Sequence, residues 1–188
     1  RYPGDCVNSI DIDNVGGSCQ AVEHLTRLGH TQIATISGPL TMTSGADRLS
    51  GYKQTLAAHG IALDADLIIE GNYTEDSGYA ATKRLLTTPA TAIFAASDIM
   101  AIGALKALHE AGRRVPEDIA LVGFDDIPLA SSVQPALTTV RQPIRELGSA
   151  VADLLMGILD DPPAPGAAAH KSVLPTHLVV RQSCGATG

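Results

Sequence analysis

The feature that most limits how this chain can fold is a repeated alternation. A short apolar run is followed by a turn residue and then by a longer stretch with apolar side chains three and four positions apart. Residues 9–13 (Ser-Ile-Asp-Ile-Asp) alternate as a strand does. Asp13 or Asn14 can cap the helix that follows, with Ala21, Val22, Leu25 and Leu28 as its apolar face and Gly29 as its stop. Residues 32–37 read as the next strand, broken by Gly38-Pro39. A second helix carries Leu49, Tyr52 and Leu56 and ends near Gly60; residues 67–70 form a short strand. Thr74 caps a third helix holding Tyr79, Leu85 and Leu86. Residues 91–95 are nearly all apolar, as in a strand buried on both faces. Ser97 or Asp98 caps a fourth helix with Ile99, Ile102, Leu105 and Leu108, closed by Gly112. Residues 119–123 are the next apolar strand, and Leu147, Val151, Leu154, Leu155 and Ile158 mark a longer helix. Residues 161–169 are rich in Pro and Ala and read as a surface linker, and residues 173–180 as one final strand.

Strands separated by single helices pair in parallel through right-handed crossovers. The fold class is therefore α/β with a doubly wound parallel sheet. In such sheets ligands sit outside the carboxyl ends of the strands. That rule marks Asp13 and residues 38–48, 71–73, 96–98 and 123–126, each of which follows a predicted strand.

Composition narrows the function. Hydrophobic residues make up 45% and charged residues 18%, enough for a packed core; aromatics are 3% with no Trp, so that core is aliphatic. The formal charge is −7, from 13 basic and 20 acidic residues, and no basic cluster appears, so these residues alone should bind DNA poorly. Cys6, Cys19 and Cys184 show neither metal-ligand spacing nor a disulfide framework, which fits free thiols in a reducing cytoplasm. No run approaches the ~20 apolar residues of a membrane span, and no signal peptide is visible. Searches for catalytic motifs return nothing. There is no Gly-x-Ser-x-Gly elbow, Gly16-Gly17 is no dinucleotide fingerprint, and Gly38…Gly45 lacks the Lys of a phosphate loop. The histidines are scattered, and a capping or surface role outweighs metal ligation for each.

Three groups at strand ends carry more than one reading. Asp125-Asp126 suits a phosphoryl acceptor or metal ligand, a turn cap, or a carboxylate accepting hydrogen bonds from ligand hydroxyls. Arg48 is either a solvated arginine or a fixed guanidinium for bidentate contact. Tyr73 either packs or stacks on an apolar ligand face.

From Ile12 onward the chain resembles the lactose/galactose-repressor family. The residues that carry this are Ile12-Asp13-Asn14-Val15-Gly16-Gly17, then His24-Leu25…Leu28-Gly29-His30…Ser37-Gly38-Pro39 and Arg48…Gly51-Tyr52. Ser97-Asp98-Ile99-Met100-Ala101-Ile102-Gly103-Ala104 is the strongest match. It leads into Val115-Pro116-Glu117-Asp118-Ile119-Ala120-Leu121-Val122-Gly123-Phe124-Asp125-Asp126, then Leu137-Thr138-Thr139-Val140-Arg141-Gln142-Pro143 and Leu174-Pro175-Thr176…Leu178-Val179-Val180-Arg181. The pieces occur in order over nearly the whole chain.

The resemblance implies a periplasmic-binding-protein type I-like fold, with two lobes of doubly wound parallel sheet joined by three hinge crossings. These are expected near Asp13-Asn14, residues 123–126 and residues 174–177. One lobe then takes residues 14–121 with 178–188, and the other residues 1–13 with 122–177. The family places a DNA-binding headpiece and most of the first lobe ahead of Arg1, so that lobe is expected to be incomplete here. It also implies a small effector in the interlobe cleft, a homodimer, operator DNA reached through the headpiece, and neither enzymatic activity, cofactor, metal nor membrane contact.

Residue by residue, Asp125 resembles the hinge carboxylate facing the ligand, Arg48 the arginine holding its polar groups, and Tyr73 the stacking aromatic. Ser97 stands at a common polar contact. Gln142, Ile144 and Leu147 match the opposite wall, and Asp13 a pocket-edge carboxylate. A purine-binding member has Arg where this chain has Met42, which favours a sugar or polyol over a nucleobase. A periplasmic sugar-binding protein shares the fold and pocket logic; the Val-Pro-Glu-Asp-Ile and Leu-Thr-Thr-Val-Arg-Gln stretches favour the regulator.

Overall fold

The computed structural model describes residues 7–162 and 168–186. Within these residues, eight strands and five α-helices follow in the order β1 (Ser9–Ile12), α1 (Asn14–Arg27), β2 (Ile33–Ser37), α2 (Thr43–Ala58), β3 (Ile68–Glu70), α3 (Glu75–Leu85), β4 (Ala92–Ala95), α4 (Asp98–Glu110), β5 (Ala120–Asp125), β6 (Thr138–Arg141), α5 (Ile144–Asp160), β7 (Lys171–Leu174) and β8 (His177–Val179). Six strands form one sheet in the order β3-β2-β4-β5-β6-β8, and β1 pairs in parallel with β7 in a separate two-stranded sheet.

The period-two alternation of each strand divides the core into two layers. Ala34, Ile36, Ile93, Ala95 and Leu121 point to the side covered by α3 and α4. Ile33, Ala92, Phe94, Ala120, Val122 and Phe124 point to the side covered by α1 and α2. β2 and β4 are buried along their whole length, which is why they read as continuous apolar runs. From β2 the chain crosses to β3 on one side, then returns to place β4 on the other. The gap between the carboxyl ends of β2 and β4 is therefore a topological switch point, where open α/β sheets bind ligands.

Several expectations are corrected. Of the expected α4 stripe, Leu108 is buried and Leu105 packs at the edge of the core, whereas Ile99 is exposed and Ile102 half-buried; the rest of the inward face is Met100, Ala101, Ala104 and Ala107. Small residues face inward because α3 and α4 touch backbone to backbone: a methyl group built on Gly103 would lie 2.0 Å from the Glu75 carbonyl oxygen. Leu28 is exposed at the end of α1. Residues 138–141, assigned to no element from sequence, form β6; its Thr-Thr-Val run is β-branched and buried. The predicted single strand over residues 173–180 is two strands in different sheets. Pro175, with no N–H to give a ladder, separates β7 from β8. β8 also runs antiparallel to β6. No residue of α5 is buried, although its apolar residues had the periodicity of a core helix; it lies against β1.

The hinge expectation also differs from the structure. β5 pairs with β6 inside the large sheet, from Val122↔Thr138 to Asp125↔Arg141. The chain leaves that sheet after Arg141, not at residues 123–126. The cause is the burial of β5 between both helical layers, which commits residues 120–125 to the sheet. Cys6 and residues 163–167 of the expected linker lie outside the described residues.

Candidate functional site

The carboxyl ends of β4, β5 and β6, with the first turns of α1 and α2, converge on one buried cation. Arg48, in the second turn of α2, is 5% exposed. Its Nε donates to Asn14 Oδ1 at 2.8 Å, and its Nη1 donates to the Ala96 carbonyl at 2.6 Å and to Asp125 Oδ1 at 3.1 Å. The guanidinium lies over the Phe124 ring, 3.7 Å from its centroid. A planar fork can bond in its own plane and stack on its face together, which an ammonium cannot.

Asp125 ends β5. Its Oδ1 also accepts from Gln142 Nε2 at 2.5 Å. Burial pushes its carboxyl above the usual range, and the Arg48 charge and the Gln142 hydrogen bond work against that. The backbone here is strained: Asp125 has φ 123° and Asp126 φ 56°, both outside the region L-residues favour. Asp126 is pinned by Arg141 Nε at 2.5 Å and Arg181 Nη2 at 2.6 Å. Burial raises the Asp126 carboxyl, but the two arginines outweigh it and leave it below the usual range.

Tyr73 approaches the same mouth from the end of β3. Its hydroxyl shares a hydrogen bond of 3.0 Å with Ser44 Oγ, one helical turn before Arg48, and its ring lies against Gly38. Tyr73 is also left-handed, with φ 65°. Two of the marked strand ends thus hold non-glycine residues in strained or left-handed backbone.

The remaining expected residues play different parts. Ser97 is buried and caps α4, accepting from Met100 N at 3.2 Å. Asp13 caps α1, accepting from Gly16 N at 2.7 Å, while its carbonyl takes the Thr176 hydroxyl at 3.1 Å and its N–H donates to Leu174 O at 2.8 Å. Asp13 therefore ties two chain passages between the sheets. Ile144, the first residue of α5, is 59% exposed, and Leu147 packs on the α1/α2-side core. The structure thus joins Arg48, Asp125 and Gln142 directly, and sets Tyr73 beside them through Ser44. Asn14 and Phe124 were not foreseen, since an amide at a helix start and a strand phenylalanine both have ordinary explanations. A groove of about 450 Å³ bordered by His109, Arg113, Arg114 and Glu117 lies near the amino ends of β5 and β6, at the other end of the sheet. Among the described residues no helix is long and apolar enough to cross a membrane.

Comparison with known proteins follows the same line. The family model described as a periplasmic binding protein-like domain matches residues 22–184. The HTH-type transcriptional regulator CelR of Thermobifida fusca is 44% identical over 184 residues, 96% of this chain and 53% of that regulator. The chain thus spans about half the length of the curated relatives it matches. A solved CelR–cellobiose complex superposes with a TM-score of 0.90 at 43% identity, over 96% of this chain and 55% of that one. A LacI family transcriptional regulator from Enterococcus faecium with bound ribose gives 0.84 at 32% identity, over 94% and 65%. These relatives are transcriptional regulators, not enzymes. On the family match across most of its length and this degree of identity, the chain belongs to the LacI family of transcriptional regulators, through a periplasmic-binding-protein-like effector domain.

Proposed function

We propose that this domain senses a small carbohydrate or polyol and that Arg48, Asp125 and Gln142, with Tyr73, are its contact groups. The observation that carries this reading is the set formed by buried Arg48 with half-buried Asp125 and Gln142 beside the switch point. It offers a planar donor and a carboxylate acceptor, beside an aromatic ring, and a ring bearing vicinal hydroxyls needs all three. The cellobiose and ribose found in the two related structures are of that class. Ser97 and Asp13 serve as capping residues at the edge of the site, and Ile144 and Leu147 belong to the wall on the α5 side. The division we propose groups residues 14–141 and 176–186 around the six-stranded sheet and residues 9–12 with 144–174 around the smaller one, on the basis of sheet membership.

In the cell the effector would bias the closure of the two lobes and, through a headpiece in a cytoplasmic homodimer, operator affinity. Such a ligand acts only by its differential affinity for the two states. Calorimetric titration with cellobiose, ribose and a purine base tests the ligand class. We expect one sugar to bind and Asp125→Ala to lose on the order of 2–4 kcal/mol of that binding, since Arg48 is left unpaired. Binding of the purine alone, or a sugar affinity indifferent to Asp125→Ala, would overturn the assignment.

A further inference from the structure

Asp98 is the first residue of α4 and is fully buried, yet among the described residues no salt bridge pairs a cation with it. Its Oδ1 accepts from the Thr139 hydroxyl of β6 at 2.5 Å, and its Oδ2 accepts from the Ile127 backbone N–H at 2.9 Å. Its own backbone N–H faces the Asp125 carboxylate and helps to hold that carboxyl down. The two aspartates are therefore neighbours: Asp98 holds the amide two positions beyond Asp125, and its own backbone N–H faces the Asp125 carboxylate. Space is tight around the carboxylate, because a methyl group built on Gly123 would lie 2.3 Å from Asp98 Oδ1.

The turn so held is the strained one. With φ positive at both Asp125 and Asp126, the segment persists only if its surroundings over-determine it. On one flank Arg141 and Arg181 hold Asp126. On the other flank the hold is Asp98. We infer that Asp98 is the positioning residue of the effector site: it braces the turn after β5 so that the Asp125 carboxylate faces Arg48 and the bound ligand. This rests on the reading of Asp125 as the effector-facing carboxylate. Carrying a carboxyl here has a cost. Burial, opposed by the Thr139 and Ile127 hydrogen bonds and reinforced by Asp125 and Asp126, pushes the Asp98 carboxyl up to about 7. An asparagine reproduces its neutral form, accepting from Ile127 and turning its amide toward Thr139 Oγ.

The test compares Asp98→Ala, Asp98→Asn and Thr139→Val in the full chain, with Leu108→Ala as a core control. Cellobiose affinity is measured by calorimetry and protection of the Ile127 amide by hydrogen exchange. Asp98→Ala should weaken cellobiose binding roughly tenfold or more and expose Ile127 to exchange, as loss of a buried acceptor does. Asp98→Asn should restore both to within about threefold of the parent, and Thr139→Val should show the same defects more mildly. Leu108→Ala should lower stability and leave both readings near the parent's. If Asp98→Ala does not fold, Thr139→Val decides. Parent-like affinity and protection in the alanine variant, or in Thr139→Val, would overturn the inference; so would an equal loss of affinity in Leu108→Ala. If the parent binds no cellobiose, the exchange comparison still judges Asp98, and only the ligand class has failed.

Discussion

A single guanidinium does several jobs at the candidate site. Arg48 satisfies Asn14, the Ala96 carbonyl and Asp125 while covering Phe124. Lysine would supply one point charge and lose the fork and the plate. Arg48→Lys should therefore cost on the order of 1–3 kcal/mol of stability, read from urea denaturation, through acceptors left without donors. Arg48 and Asp125 could be picked out from sequence because both follow predicted strands, where open α/β sheets bind ligands, and both match the family's pattern. Their pairing could not, since they stand 77 positions apart and meet only because β2, β4 and β5 are adjacent. The backbone strain at Tyr73, Asp125 and Asp126 left no mark on residue type that would separate these positions from ordinary turns.

At the scale of elements, what decides packing is how closely backbones approach. α3 and α4 meet across Gly78 and Gly103, where added methyl groups would lie 2.1 Å from the Met100 carbonyl oxygen and 2.0 Å from that of Glu75. Gly103→Ala should destabilise by about 1–3 kcal/mol, the range for overpacking, and the loss should appear in thermal melting. Ser97→Ala should cost ~1 kcal/mol by removing the cap of α4. The error over α4's stripe has the same origin. Periodicity weighs a large apolar residue above alanine, whereas a helix wedged against both a sheet and a neighbouring helix needs small residues inside. The opposite error occurred at α5, whose pattern promised a core face that the described residues leave uncovered.

At the scale of the whole molecule, one ionisation reports on the network. The Asp98 carboxyl sits at about 7 in the folded chain, above its usual value of 3.8. The folded state therefore holds a proton that the unfolded state has released between those values. Its contribution is fully present below about pH 4 and is lost as pH rises through about 7. Asp98→Asn removes this loss. The melting temperature of Asp98→Asn relative to the parent should rise between pH 5 and pH 8; a difference flat with pH would mean that Asp98 is ionised throughout. Comparing variant with parent cancels His24 and His30, whose values burial lowers and which therefore act in the opposite sense. A bound effector at about a hundred times its dissociation constant should add about 2.7 kcal/mol to the same melt.

The amino-acid sequence by itself determined the alternation of strands and helices, most of the caps and stops, and the strand ends where a ligand belongs. These are local properties, set by side-chain periodicity and by which residues can end a helix or a strand. Tertiary structure alone decided the strand order, the split of residues 173–180 between two sheets, the inclusion of β5 and β6 in the large sheet, and the meeting of Arg48, Asn14, Asp125 and Gln142. Those outcomes depend on which distant segments bury each other's surface and satisfy each other's hydrogen bonds, a comparison that no single stretch of sequence contains.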